Sequence, residues 1–69
     1  MELIPVLNND YELEYFESVE EKGSIKKRTT VIPDEEYFLV TEVIKNGNNV
    51  IFENDFQLDR ELIEAVKSL

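Results

Sequence analysis

Carboxylates are the only side chains abundant enough in this chain to suggest acid–base chemistry. Sixteen of its 69 residues are Asp or Glu, and it contains neither His nor Cys. Neighbouring carboxylates act as a general acid and base when their surroundings split their pKa values. Glu20-Glu21, Asp34-Glu35-Glu36 and the Asp55/Asp59 pair are candidates by adjacency. Each falls in an expected turn or at an expected helix start, where water keeps both members ionised. Ser18, Ser24 and Ser68 have no His to activate them, and a Cys nucleophile is excluded. Calcium loops need acids at alternating positions followed by Gly, a spacing absent from Asn8-Asn9-Asp10 and Asn46-Gly47-Asn48-Asn49. Gly23 and Gly47 alone make no phosphate-binding loop. Thiolate and imidazole ligands for zinc are missing. The expectation is a non-catalytic protein: no enzyme, no cofactor, no metal site.

The charge is unevenly placed as well as large, at a formal −9. Residues 1–21 carry seven acids and no base; four of the seven bases then follow at Lys22, Lys26, Lys27 and Arg28. A balance this negative argues against direct contact with nucleic acid or anionic lipid, both of which would repel it. Lys26-Lys27-Arg28 reads as a strand segment that neutralises glutamates on its neighbour, with Glu14 and Glu17 as the expected partners, rather than as a nucleic-acid patch.

The elements that must position these groups are short. Leu3 to Leu7, interrupted by Pro5, predicts an edge strand or extended arm, because proline cannot donate to a ladder. Asn8-Asn9-Asp10 is a turn cluster. Tyr11 to Val19 begins by alternating and is interrupted at Phe16, which predicts a bulge or a strand buried on both faces there. Glu20-Glu21-Lys22-Gly23 predicts a turn, and the β-branched run Ser24 to Ile32 an antiparallel return. After a loop at Pro33-Asp34-Glu35-Glu36, Tyr37 to Ile44 is apolar on both faces and predicts a central strand covered on each side. Asn46-Gly47 is a hairpin signal, with Val50-Ile51-Phe52 returning. Asp59 predicts a helix cap, Leu58 and Ile63 a hydrophobic staple, and Leu62, Ile63, Val66 and Leu69 an apolar stripe. Glu61 and Lys67 suit the two ends of that helix's dipole.

The fold class is therefore α+β: a small twisted antiparallel sheet of four to five strands with one C-terminal helix, forming a single domain over 1–69. An SH3-like open barrel plus helix is the alternative. A core at this size supplies only about 3–5 kcal/mol, and small domains of this kind recruit disulfides, metals or a second subunit. With no Cys or His, self-association as a homodimer is the expectation. Met1-Glu2-Leu3-Ile4-Pro5 lacks a basic start and a long apolar run, so no signal peptide is expected, nor any membrane span. A cytoplasmic location is expected, that of the host cell if the gene belongs to a phage.

The surplus acid is what remains to be explained. Glutamates on strands and turns, doubled by a two-fold axis, can imitate two rows of DNA phosphates. The residues expected to meet a partner are Glu12, Glu14, Glu17, Glu20 and Glu21, with Asp34, Glu35 and Glu36 as a second patch. In size, composition and element order the chain resembles small, Cys-free, acidic host-takeover and anti-restriction proteins of bacteriophages, several of which mimic DNA. That resemblance implies an inhibitor occupying the basic DNA-binding surface of a host protein, with an HU-like nucleoid protein as the specific expectation. The alternative is a small adaptor or regulatory subunit, for example on RNA polymerase, that binds through a sheet edge or an aromatic face.

Overall fold

The computed structural model describes residues 2–67, so Leu69 and the Lys67 side chain lie outside the described residues. Five strands and a helix follow in chain order: β1 (Ile4–Leu7), β2 (Leu13–Lys22), β3 (Ile25–Pro33), β4 (Tyr37–Asn46), β5 (Asn49–Asp59) and α1 (Arg60–Lys67). The strands form one antiparallel sheet in the order β1-β2-β3-β4-β5, each pairing only with its chain neighbours. β1 and β5 remain at opposite edges, so the sheet is open and the barrel alternative does not hold.

Two hairpins share one turn chemistry. Gly23 and Gly47 have φ of +62° and +60°, and each is the first of two residues between paired strand ends. Neither Ser24 nor Asn48 has a positive φ, which is the pattern of a type II′ turn, where Gly supplies the first central position. The second hairpin thus turns on Gly47-Asn48, with Asn46 still in the ladder opposite Asn49. The first turns on Gly23-Ser24, and Glu20 to Lys22 belong to β2 rather than to a turn. The two turns also meet: Gly47 N–H donates to the Ser24 carbonyl at 2.9 Å, and the Ser24 hydroxyl donates to Asn46 Oδ1 at 2.7 Å.

Of the two readings at Phe16, the bulge lies elsewhere, while Tyr15, Phe16 and Glu17 are each half-buried and Ser18 is buried, so both faces of β2 are covered in part there. Val6 pairs with Tyr15 and Leu7 with Leu13, which leaves Glu14 as the extra residue of β2. A second bulge leaves Ile51 unpaired between Ile44–Phe52 and Lys45–Val50. Pro5 sits opposite Phe16 on the edge strand, where a missing N–H is tolerated.

Cross-strand partners project to one face, so the registers sort the side chains. Phe16, Val31, Val40 and Phe56 form one row, Pro33, Phe38 and Leu58 another, and Ile44 and Phe52 a third on the same side. All four phenylalanines therefore share one face, and Tyr15 and Tyr37 lie on the other. The most buried residues, Ser18, Thr29 and Val40, are all on the Phe face. β4 is half-buried on both faces from Tyr37 to Ile44, with Val40 its one buried residue; among the described residues no second layer covers both its faces, contrary to the expectation of a strand covered on each side. α1 touches only β4 and β5. Asp59 caps it as the sequence predicts, its Oδ1 accepting from Glu61 N–H at 2.9 Å. No described helix is long and apolar enough to cross a membrane.

Candidate functional site: an acidic end of the sheet

In a meander, alternate connections emerge at the same end. The β1–β2 loop, the β3–β4 loop and the start of α1 share one end, and the two glycine turns share the other. The first end is built from carboxylates: Asp10 and Glu12 in one loop, Asp34, Glu35 and Glu36 in the next, and Asp59 and Glu61 at the helix start. Each of these residues is exposed.

Local hydrogen bonds hold the loops in shape. Asn8 Oδ1 accepts from the backbone N–H of Asp10 at 2.9 Å and of Glu12 at 3.0 Å, an Asx arrangement that folds the first loop tightly. Asp34 Oδ1 accepts from Glu35 N–H at 2.7 Å, and Asp34 N–H donates to the Tyr37 carbonyl at 2.9 Å. The β3–β4 loop is tied to the helix by Arg60, whose N–H donates to the Glu36 carbonyl and whose guanidinium donates to the Asp34 carbonyl. The same guanidinium lies 5.2 Å from the Phe38 ring centroid. The one basic side chain in these loops and at the helix start is thus held by internal contacts. Tyr37 borders the loop, and its phenol pKa is raised by a hydrogen bond to the Asp34 side chain, then by the charge of Asp34, slight burial and the charge of Glu36.

Of the eight residues expected to meet a partner, Glu12, Asp34, Glu35 and Glu36 come together here. Glu14 is the bulged residue of β2, close to this end. Glu17, Glu20 and Glu21 do not join them, because they lie farther along β2 toward the glycine turns and on different faces. Glu17 lies 3.0 Å from Arg28 Nε and Glu21 lies 3.4 Å from Lys26 Nζ. Glu20 is the cross-strand partner of Lys27. The basic run therefore pairs with Glu17, as expected, and with Glu21, which was not expected, and it lies opposite Glu20; Glu14, the other expected partner, is the bulged residue instead.

Three acidic members of the end were missed as partner residues: Asp10, Asp59 and Glu61. The strand order carries the signal for them, since it sends alternate loops to one side. The alternation predicts a strand from Tyr11, but β2 begins only at Leu13. Tyr11 sits in the loop with φ of +63° and is 86% exposed, an aromatic ring among carboxylates. Among the described residues, no group of three acidic, His or Cys side chains could hold a metal ion.

No family model matches this chain, and no curated protein and no solved structure matches it either.

Proposed function

We propose that this chain is a non-catalytic acidic protein that binds the basic DNA-binding surface of another protein in the cytoplasm and excludes DNA from it. The observation that carries this reading is charge segregation. Asp10, Glu12, Asp34, Glu35, Glu36, Asp59 and Glu61 occupy one end, where Arg60 is turned to internal contacts, while Lys22, Lys26, Lys27 and Lys45 lie toward the other. Such an end attracts a basic groove and accelerates encounter with it. HU-like nucleoid proteins are the first target to test, because their broad basic surfaces read little sequence.

The experiment is competition. A purified HU-like protein is bound to labelled duplex DNA and titrated with this chain at two salt concentrations. Displacement that weakens steeply with salt supports mimicry. The triple variant E12Q/E35Q/E36Q should lose more than tenfold in displacement, and E17Q/E21Q much less. Equal potency of the triple variant and wild type would overturn the proposal.

A second reading is favoured by β5, whose eleven residues are all exposed on an edge strand. An adaptor that adds a partner strand there would bind with little dependence on salt.

A further inference from the structure

The described chain has almost no interior. Val40 is its one buried hydrophobic residue, and no large side chain is fully enclosed. A compact monomer of 8.1 kDa exposes about 4,500 Å². This chain exposes 5726 Å², an excess of about 1,200 Å² over that compact monomer. Its radius of gyration, 14.1 Å, exceeds the roughly 11 Å of a compact domain of this length, and its thinnest dimension is 18 Å. The fold is one sheet thick, with the helix at its margin.

Part of the uncovered apolar surface lies along one margin, where Asn54 separates Phe52 from Phe56. On the Phe face of β5 it comprises Phe52, Phe56 and Leu58. It continues onto α1, where Leu62 and Val66, four residues apart, share a shallow apolar depression with Ile63 and with Leu58 at the end of β5. Leu62 and Val66 are each 66% exposed. A helix of eight residues does not persist in water without a surface to dock on. Yet the sheet takes up only part of its apolar side, with Ile63 half-buried and Leu62 and Val66 left outward.

We infer that a second copy of this chain covers the strip Phe52, Phe56, Leu58, Leu62 and Val66, forming a two-fold dimer through the Phe face of β5 and the outer side of α1. Three observations select this occupant. The deficit is one of folding, present whenever the chain is folded, so its cover must be present from the outset. The excess of about 1,200 Å² per chain, spread over sheet and helix, is of the size an obligate homodimer covers, about 2,400 Å² in a pair. A two-fold axis sets this strip against itself, apolar on apolar, as a self-complementary interface requires. Edge-to-edge pairing of β5 with its copy is opposed by charge, because Glu53, Asp55 and Asp59 would line one face beside their own counterparts. The helix therefore joins the interface, and the sheet does not simply extend.

Sedimentation equilibrium of the wild-type chain tests the inference. At tens of micromolar it should show a dimer, with a thermal midpoint that rises with concentration. L62E/V66E should be monomeric or unfolded. In an isolated monomer both positions are two-thirds solvent-exposed, so unfolding of this variant would itself show that they are covered in solution. I4E/L7E, at the opposite and similarly exposed edge strand, should remain dimeric. A wild-type monomer at 100 µM, a folded dimeric L62E/V66E, or dissociation of I4E/L7E would each overturn the assignment.

Discussion

Arg60 stacks its guanidinium over the ring of Phe38, 5.2 Å from the centroid, and thereby joins the first turn of α1 to the Phe face of β4. The same group donates to the Asp34 carbonyl, so one side chain fastens helix, sheet and loop together. An exposed cation–π contact contributes about 0.5–1 kcal/mol and a hydrogen bond about the same or slightly more. Arg60→Ala should lower stability by about 1–2 kcal/mol in urea denaturation, and Arg60→Lys by less. The alanine variant also removes the basic charge at the acidic end, so DNA displacement by whatever fraction remains folded should be at least as strong as wild type.

Tyr11 costs the fold something. A bulky residue at positive φ is strained by about 1–2 kcal/mol, a penalty glycine does not incur. Its ring, 86% exposed, recovers little of this by burial. Tyr11→Gly should therefore leave thermal stability unchanged or raise it. The same variant should weaken partner binding, because exposed tyrosines beside charged groups are favoured contact anchors. A drop in stability would show that the ring packs in solution.

Tyr37 supplies a pH signature. Its proton is held more tightly in the folded state than in the unfolded chain, chiefly through its hydrogen bond to Asp34. The resulting stabilisation is present below the ordinary tyrosine range near pH 10 and is lost as pH rises through the higher folded value. Ultraviolet titration should show one of the three tyrosines ionising late, and Tyr37→Phe or Asp34→Asn should remove that late step.

The cross-strand ion pairs should rank by exposure. Glu17 is the more covered carboxylate, with 27% of its side chain exposed against 62% for Glu21. Glu17→Gln should cost up to about 1 kcal/mol and Glu21→Gln about half that or less, with both effects shrinking in high salt. Denaturation at low and high ionic strength separates them.

The alternation of Leu13 and Tyr15, the β-branched run around Thr29-Thr30-Val31, the glycine turns and the Asp59 cap made the strand–helix order legible from residue types alone. The second half of β5 was not. Glu53, Asn54 and Asp55 have poor strand propensity, and pairing with Val43, Glu42 and Thr41 of β4 overrides it. Tyr11 read as the start of a strand because its ring fits the alternation, whereas the Asn8 hydrogen bonds close the loop around it. For the acidic end, Asp34 to Glu36 stood out as a run. The company of Asp10 and Asp59 depends on strand order, which brings together residues far apart in the chain. Residue types alone leave Glu20 and Glu21 facing a partner, because they carry no register; the register sets them opposite Lys27 and Lys26.

The bond from Gly47 N–H to the Ser24 carbonyl joins two turns that belong to different hairpins. Turn amides at a sheet's tip ordinarily exchange with solvent within the fastest class, since local fraying frees them. Here the Gly47 amide is released only when β3 separates from β4 or the first hairpin opens at its tip. It becomes a sentinel for the integrity of the three-stranded unit β2-β3-β4, and its exchange should slow toward that of the strand interior rather than that of a loop.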